Sequence, residues 1–257
     1  MSLYTNPLII YCKYNRVYMD TRWFGPSGWE LFHLIAFRSP HPDDVLNQMK
    51  DVLPCKYCRA STTQYVHDHP LRGDPGKWLY EIHNMVNNKL RTQCADDPKV
   101  VDPGPDPKFE QVKTKYMAMK PTKVPGRDFL MSIAYNFKPE KTNMATQRTF
   151  MHALAKVFPF DDYRAAFADY IEEHEVALSS QRAYLRWMYG LLKAMSERTR
   201  SDIPSYKAYV RRVAYYKSGC SSKNDRSSTC RKQRGGGRDH HRTHRVSHRE
   251  LLGKTEV

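Results

Sequence analysis

Two cysteines separated by two residues form the clearest chemical motif in this chain of 257 residues. Cys55 and Cys58 follow Pro54, a residue that is favoured in the first turn of a helix. We therefore expect Cys55 at a helix N-terminus and Cys58 one turn later. The helix dipole and the free backbone amides at that position stabilise a thiolate, the species that attacks a disulfide. The motif predicts a redox-active pair that opens and closes a disulfide.

Half of a zinc site is the structural alternative for this motif. Zinc needs two further ligands, and residues 1–150 contain no second CxxC. Cys94 alone does not supply the missing ligands. We therefore predict no metal at the cysteine pair.

A second group of polar side chains follows the cysteines on a helix predicted over residues 77–91. His83 and Asn87 are four residues apart and share one helix face, and Asn84 lies beside them. A satisfied polar cluster in the core is the simpler explanation of a single histidine in such a place. Here imidazole and amide groups recur together and Lys89 follows, which favours a binding site.

Trp29 and His33 lie on another predicted helix of the same bundle. Together with the polar face around His83 they would surround one slot with aromatic planes, imidazoles and amide donors. Adenine and flavin rings are bound by stacking planes and hydrogen bonds, and their phosphates by cations. The two groups therefore predict an aromatic cofactor next to the cysteine pair.

Four short helices are expected to position these side chains. The dipeptide 25–26 indicates a turn, and Ser27 with Glu30 three residues later predicts an N-cap and a capping box. Further helices are predicted over residues 42–52, 54–65 and 77–91. This pattern is typical of a small four-helix bundle.

Residues 95–126 are rich in proline, lysine and aspartate and are predicted to be a linker or a wrapped loop. Helical spacing of apolar residues returns over residues 127–216. The segment 157–165 matches residues 52–60 in its proline and its Arg-Ala pair, in one register. We interpret the second half as a degenerate copy of the first bundle. It carries Phe160 and Tyr163 at the cysteine positions.

The net charge of +15 is unevenly distributed. Residues 217–257 contain eleven Lys and Arg against four Asp and Glu, and they are rich in serine and glycine. This composition predicts a disordered basic tail that binds polyanions weakly or is simply solvated. No apolar run is long enough for a membrane span, and residues 1–30 lack the pattern of a signal peptide. We therefore expect a cytoplasmic protein that is neither secreted nor bound to a membrane.

Residues 23–90 resemble the Erv/ALR family of FAD-dependent sulfhydryl oxidases. The resemblance lies in the glycine, Trp and His pattern of residues 25–33, in the CxxC of residues 53–58 and in the H-N-x-V-N-x-K-L pattern of residues 83–90. It implies an all-α fold with FAD as the cofactor. The cofactor-binding residues that it implies are Gly25, Ser27, Trp29, His33, His83, Asn84, Val86, Asn87 and Lys89.

This sequence departs from the family pattern at several positions. Val66 and Tyr80 replace the cysteines of a structural disulfide, Pro26 replaces an arginine, and residues 91–93 replace a Gly-Lys-Pro. The last two departures affect individual phosphate contacts that the resemblance implies. The missing disulfide and the helical second half are more similar to the oxidases of large DNA viruses.

The resemblance also implies a mechanism. A thiolate of the substrate or of a shuttle would attack Cys55, which we expect to be the more exposed sulfur. Cys58 would then pass two electrons to FAD, and oxygen would be reduced to hydrogen peroxide. The resemblance implies protein thiols as substrates and a homodimer as the assembly.

Cys220 and Cys230 are candidates for a mobile shuttle disulfide, as found in members of the family. Two unpaired thiols are the alternative, and the spacing is too wide for a zinc knuckle with the histidines of the tail. The sequence does not decide how Cys12 and Cys94 pair.

The predicted organisation has four parts: a FAD-binding Erv-type domain at 1–94, a linker at 95–126, a helical pseudo-Erv domain at 127–216 and a basic tail at 217–257. Two other functional classes compete with the oxidase. A nucleic-acid-binding module would use the tail, but the tail lacks interleaved aromatic residues. A thioredoxin-like protein would need strands around the CxxC, and none is predicted.

Overall fold

The computed structural model describes residues 19–97 and 100–217, and in these ranges it consists of ten helices without strands. The predicted all-α fold class is therefore confirmed. In chain order the helices are α1 Thr21–Arg38, α2 Asp43–Val52, α3 Lys56–Asp68, α4 Pro75–Asp96, α5 Phe109–Ala118, α6 Arg127–Asn136, α7 Lys141–Val157, α8 Asp161–Glu173, α9 Gln181–Thr199 and α10 Tyr206–Lys217. Cys12, Cys220, Cys230 and the predicted disorder of residues 218–257 lie outside the described residues.

The first helix begins six residues before the predicted N-cap. Asp20 caps it by accepting a hydrogen bond from the backbone N–H of Arg22 at 2.9 Å. Pro26 lies in the second turn, where a proline removes a single backbone hydrogen bond. Trp23 is buried and stacks on Tyr216 of α10 at 4.4 Å, which holds the first turn in place. The predicted turn and capping box at residues 25–30 are wrong because this packing outweighs the local signal.

The helices α2, α3 and α4 follow the sequence prediction more closely. The predicted inward residues of α2, Val45, Met49 and Val52, are all buried. The third helix begins at Lys56 with Cys55 as its N-cap. The fourth extends from Pro75 to Asp96, two residues earlier and five residues later than predicted.

The predicted linker at 95–126 contains a helix, α5. Phe109, Val112 and Tyr116 give it a helical spacing, and the last two are buried. It packs against α1 and α4. The prediction of a linker or a loop without a helix is wrong for residues 109–118, because the surrounding lysines and prolines hide a short amphipathic pattern.

Side-chain contacts of the first half recur in the second half. Arg59 of α3 donates to the carbonyl of Leu53, six residues earlier in the chain. Arg164 of α8 donates to the carbonyl of Phe158, again six residues earlier, at 3.3 Å. Both arginines therefore tie the start of a helix to the chain that leads into it.

A pair of tryptophans gives a second correspondence. The indole N–H of Trp78 in α4 donates to the carbonyl of His69 at 2.7 Å. The indole N–H of Trp187 in α9 donates to the carbonyl of His174 at 3.0 Å. His69 and His174 are the C-cap residues of α3 and α8. These contacts are consistent with the predicted repeat.

The two halves pack on each other through one continuous core. Helix α1 lies against α6, and α2 lies against α7, so helices from corresponding places in the halves are paired. A Cβ atom on Gly28 would lie 3.1 Å from the ring of Phe129, which shows how closely α1 and α6 approach. None of the helices in the described ranges combines the length and the apolar character that a membrane span requires.

Candidate functional site

The cysteine pair lies at the N-terminus of α3, as predicted. Cys55 is the N-cap, and its Sγ accepts a hydrogen bond from the backbone N–H of Cys58 at 3.3 Å. Both side chains are free thiols. The sequence forms a helix start here because Pro54 cannot donate a backbone hydrogen bond and Cys55 can act as the cap acceptor.

The two cysteine residues differ in exposure. Cys55 is 6% exposed and belongs to the hydrophobic core, whereas Cys58 is half-buried. These values describe whole residues, and burial also raises the pKa of the Cys58 thiol. Which of the two sulfurs is the more exposed therefore stays a prediction. The cap geometry places the Cys55 Sγ beside the backbone of the first turn of α3.

The two thiols also differ in proton affinity. A hydrogen bond from the Cys58 thiol lowers the pKa of Cys55 to about 7, and backbone amides of the first turn act in the same direction. The same hydrogen bond and burial raise the pKa of the Cys58 thiol. In the reduced pair, Cys55 therefore holds the thiolate and Cys58 holds the proton.

Lys89 of α4 contacts α3 close to the cysteines. Its ammonium group donates to the hydroxyl of Ser61, which in turn donates to the carbonyl of Tyr57 at 3.0 Å. Its charge acts to lower the pKa of Cys58, against the effect of burial. The structure thus brings one of the predicted cofactor residues next to the redox pair.

A buried histidine of α1, His33, contacts a half-buried histidine of α4, His83. Nε2 of His33 and Nδ1 of His83 are 3.0 Å apart, so one ring donates a hydrogen bond to the other. Trp29 stacks on His83 with ring centroids 3.9 Å apart. Burial lowers the pKa of His33 to about 3 and that of His83 to about 4, so both rings are neutral at pH 7.

The other ring nitrogen of His33 is left unsatisfied within the described residues. Nδ1 is buried and has no hydrogen-bond partner among the residues that the structure describes. An unpaired buried polar atom costs free energy unless something satisfies it. The histidine pair therefore has the character of a binding group rather than a closed structural network.

A cavity of about 340 Å³ opens beside the histidine pair, in the size range of small-molecule sites. Four of the predicted cofactor residues line it: His33, His83, Asn84 and Asn87. The other lining residues are Tyr80, Pro107, Gln111, Val112, Lys115 and Tyr116. Neither cysteine is among these lining residues, so the redox pair does not form part of the wall of this cavity.

Sequence reasoning missed the wall of the cavity that α5 provides. Tyr116 stacks on His33 at 4.7 Å between ring centroids, and Lys115 brings a positive charge to the cavity. The helical spacing of Val112 and Tyr116 could have indicated these residues, but the proline-rich surroundings suggested a loop.

A polar clamp holds the chain before α5 against α4. The carboxylate of Asp106 accepts hydrogen bonds from Asn87 at 2.7 Å and from Arg91 at 2.6 Å. The Arg91 guanidinium lowers the pKa of Asp106. Asn87 therefore contacts both the cavity and the segment that closes one side of it.

Other predicted cofactor residues lie away from this cavity. The Ser27 hydroxyl accepts hydrogen bonds from the backbone N–H groups of Asp128 and Phe129, at 3.2 and 3.3 Å. It therefore caps the N-terminus of α6. Gly25 is half-buried near the start of α1, and Val86 is half-buried on α4.

The described ranges contain no cluster of three or more His, Cys, Asp or Glu side chains that could hold a metal ion. Cys94 is a half-buried free thiol on α4.

Comparisons with known proteins find similarity in this region. Residues 26–103 match the sequence model of the Erv1 / Alr family. The chain is similar to the mitochondrial FAD-linked sulfhydryl oxidase ERV1 of Saccharomyces cerevisiae (strain ATCC 204508 / S288c), with 32% identity over 90 residues. The similarity covers 30% of this chain and 48% of the yeast protein, so it spans about half the length of that relative. No solved structure matches the chain significantly. The resemblance to viral oxidases stays a prediction.

Proposed function

We propose that this chain, which carries an Erv1/Alr family domain at residues 26–103, is a FAD-dependent sulfhydryl oxidase. The observation that supports this most directly is the thiolate-stabilising pair Cys55 and Cys58 at the start of α3. The same bundle carries a cavity lined by histidine and amide groups. The proposed substrates are protein thiols, and the proposed electron acceptor is oxygen, which is reduced to hydrogen peroxide.

The polar residues of the cavity suit part of the cofactor that the family resemblance implies. The unpaired Nδ1 of His33, the amides of Asn84 and Asn87 and the cation of Lys115 are groups that bind a nucleotide and its phosphates. Lys89 supplies a second cation beside the cysteines. When bound, FAD supplies the capacity to take two electrons from a dithiol and to pass them to oxygen.

The chain itself carries out the thiol chemistry. In the oxidised pair, a substrate thiolate attacks the sulfur of Cys55 and forms a mixed disulfide, and the Cys55–Cys58 bond breaks to release Cys58 as a thiolate. A second substrate thiolate then attacks the mixed disulfide at the substrate sulfur, which leaves the substrate oxidised and both cysteines reduced. Lys89 and Arg59 favour the charged form of Cys58 when it is released.

Burial of Cys55 adds a requirement to this proposal. A protein thiol reaches that sulfur only when the start of α3 opens locally, since Cys55 is 6% exposed. We propose that the exposed part of Cys58 is the face that meets the cofactor. In this assignment Cys55 keeps the predicted role of the sulfur that the substrate attacks, and Cys58 keeps the role of the sulfur next to FAD.

The second half of the chain offers no equivalent site. Phe160 and Tyr163 stand where the cysteines would be. If Trp78 is aligned with Trp187, His83 aligns with Leu192, which is fully buried. We therefore propose one cofactor site per chain.

A homodimer also remains part of the proposal. Helices α1 and α2 already pair with α6 and α7 inside the chain. In a homodimer, the two copies would therefore contact each other through surfaces other than the faces of α1 and α2 that pack on α6 and α7.

Replacement of the second cysteine tests the oxidase directly. Cys58→Ala should bind FAD and show flavin absorbance like the unmodified protein, but it should lose thiol-dependent oxygen uptake because no disulfide can form. Cys94→Ala is the matched control and should keep its turnover, because Cys94 lies outside the redox pair. Retained turnover in Cys58→Ala, or a purified protein without flavin, would refute the assignment.

A tail truncation tests the shuttle. We propose that Cys220 and Cys230 relay electrons from protein thiols to the cysteine pair. A chain that ends at Ser218 should then oxidise small thiols at an unchanged rate and protein thiols about tenfold more slowly or worse, a loss of at least 1.4 kcal/mol in transition-state stabilisation. Oxygen uptake with both substrate types measures this. Unchanged oxidation rates with both small thiols and protein thiols would refute the proposed relay.

A further inference from the structure

Arg38 joins the last turn of α1 to the end of α5. Its Nη1 donates to the carbonyl of Met117 at 2.8 Å and lies 3.4 Å from the carbonyl oxygens of Tyr116 and Met119. The last carbonyls of a helix lack partners within the helix and form the negative end of its dipole. The guanidinium of Arg38 therefore caps the C-terminus of α5 and holds that helix against α1.

Phe160 of the second half supports this guanidinium. The Cζ atom of Arg38 lies 4.5 Å from the centroid of the Phe160 ring, which is a cation–π contact. Phe160 also packs against a small cluster of buried residues that joins α1 to α5. The buried members of that cluster are Leu34, Val112 and Tyr116. The second half thus contacts the first at the place where α5 is anchored.

The backbone of Phe160 is unusual for the contact that it makes. Its φ is +67°, whereas Cys55, the N-cap at the corresponding position of the first half, has a φ of −114°. A bulky side chain rarely adopts a positive φ, and such a conformation persists only where surrounding contacts hold it. For Phe160, the contacts with Arg38 and with the cluster that joins α1 to α5 are the ones that hold this conformation.

Helix α5 carries one wall of the candidate cofactor cavity. Gln111, Val112, Lys115 and Tyr116 line the cavity, and Tyr116 also stacks on His33. A displacement of the C-terminal end of α5 would move Lys115 and Tyr116 together. The position of this wall therefore depends on Arg38.

We propose that Phe160 is a positioning residue of the cofactor site. It fixes Arg38, and through Arg38 it fixes the wall that α5 contributes to the cavity. In this arrangement the second half, which has no redox pair of its own, supports the site of the first half. The identity of the ligand rests on the proposed function, but the contact itself does not.

The first test measures affinity for FAD. Phe160→Leu keeps an apolar side chain but removes the ring face, and it should weaken FAD binding about two- to fivefold, the range expected for an exposed cation–π contact. Phe160→Tyr restores a ring and should restore the affinity. Arg38→Met should weaken binding at least as much, and the double variant Arg38→Met with Phe160→Leu should be no weaker than Arg38→Met alone.

A matched control separates this effect from general loss of packing. Tyr189 is a half-buried aromatic residue of α9 that packs against Tyr206 of α10. Tyr189→Leu removes a ring of similar size from the second half and should leave the affinity for FAD unchanged. An equal loss in Tyr189→Leu and Phe160→Leu would overturn the proposal.

A second measurement does not need the cofactor. Amide hydrogen exchange of residues 113–118 in the protein without FAD should become faster in Phe160→Leu, while exchange in α9 stays as in the unmodified protein. Unchanged exchange in α5 would overturn the positioning role. If the unmodified protein failed to bind FAD, the proposed function would fall, and hydrogen exchange would still decide whether Phe160 positions α5.

Discussion

At the scale of single residues, the cysteine pair gains its asymmetry from the position of each sulfur at the start of α3. Cys55 accepts hydrogen bonds from the first turn and from the Cys58 thiol, and both contacts favour its thiolate. Cys58 loses hydration and donates its proton to Cys55, which favours its neutral form. A CxxC at a helix N-terminus thus holds one charge and one proton at pH values around neutrality.

The pKa of Cys55 predicts a measurable titration. A thiol in water has a pKa of roughly 8.5, and Cys55 has a pKa of about 7. Because the folded state lowers this pKa, the thiolate forms as the pH rises through 7 and is lost below it. The ultraviolet absorbance of the thiolate in the reduced protein, minus that of Cys55→Ser, should therefore rise with a midpoint near pH 7.

Cys58→Ala is the matched variant for this titration. It removes the hydrogen bond that contributes most to the low pKa, so the midpoint of Cys55 should move upward. A midpoint that is the same in both proteins would contradict the proposed cause of the shift.

At the scale of the helices, contacts between elements override local sequence signals at the start of α1. The sequence suggests that Ser27 caps its own helix, but the structure places Ser27 inside α1 and uses its hydroxyl to cap α6. The backbone N-cap of α6, Gly126, has no side chain that could do this. One helix therefore supplies the missing cap of the helix that packs against it.

Removal of this cap should destabilise the protein. Ser27→Ala leaves the amides of Asp128 and Phe129 without their acceptor in a largely buried place, and it should lower the free energy of unfolding by about 1–2 kcal/mol. Urea unfolding monitored by circular dichroism measures the change.

Thr146→Ala is a suitable comparison for this variant. Thr146 is half-buried on α7, and its hydroxyl donates to a carbonyl of its own helix. Its replacement leaves no amide without an acceptor and should change the stability by about 0.5 kcal/mol or less. If Ser27→Ala were as stable as Thr146→Ala but bound FAD more weakly, the result would support a cofactor contact and not a cap.

At the scale of the whole molecule, the two halves form one folding unit. The pairs α1 with α6 and α2 with α7 bury apolar residues from both halves in one core. Phe129 packs against Phe24 and Phe32 of α1 at ring distances of 6.4 and 5.3 Å. Separation of the halves would expose these rings to water.

The common core predicts cooperative unfolding of the chain. The full protein should unfold in a single thermal transition, because buried residues of both halves belong to one large core. A fragment of residues 1–126 should lack a cooperative transition in circular dichroism, since the faces of α1 and α2 that contact α6 and α7 would be exposed. A fragment that unfolds cooperatively and binds FAD would show instead that the halves are independent domains.

The sequence alone indicated the parts of this protein that depend on local signals. The start of α3 at the cysteine pair follows from Pro54 and the cap at Cys55, and the inward face of α2 follows from the spacing of its apolar residues. The grouping of His83, Asn84 and Asn87 follows from the helical period. These features need only neighbours within a few residues, so a single sequence contains them.

Tertiary structure decided the features that depend on residues far apart in the chain. Burial of Cys55, the cap that Ser27 provides to α6 and the wall that α5 gives to the cavity all depend on which helices meet. The free energy of these contacts comes from surface that is buried between segments about a hundred residues apart, as between Ser27 and Asp128. Local sequence patterns contain no information about such distant partners, so the roles of these residues can be seen only in the folded structure.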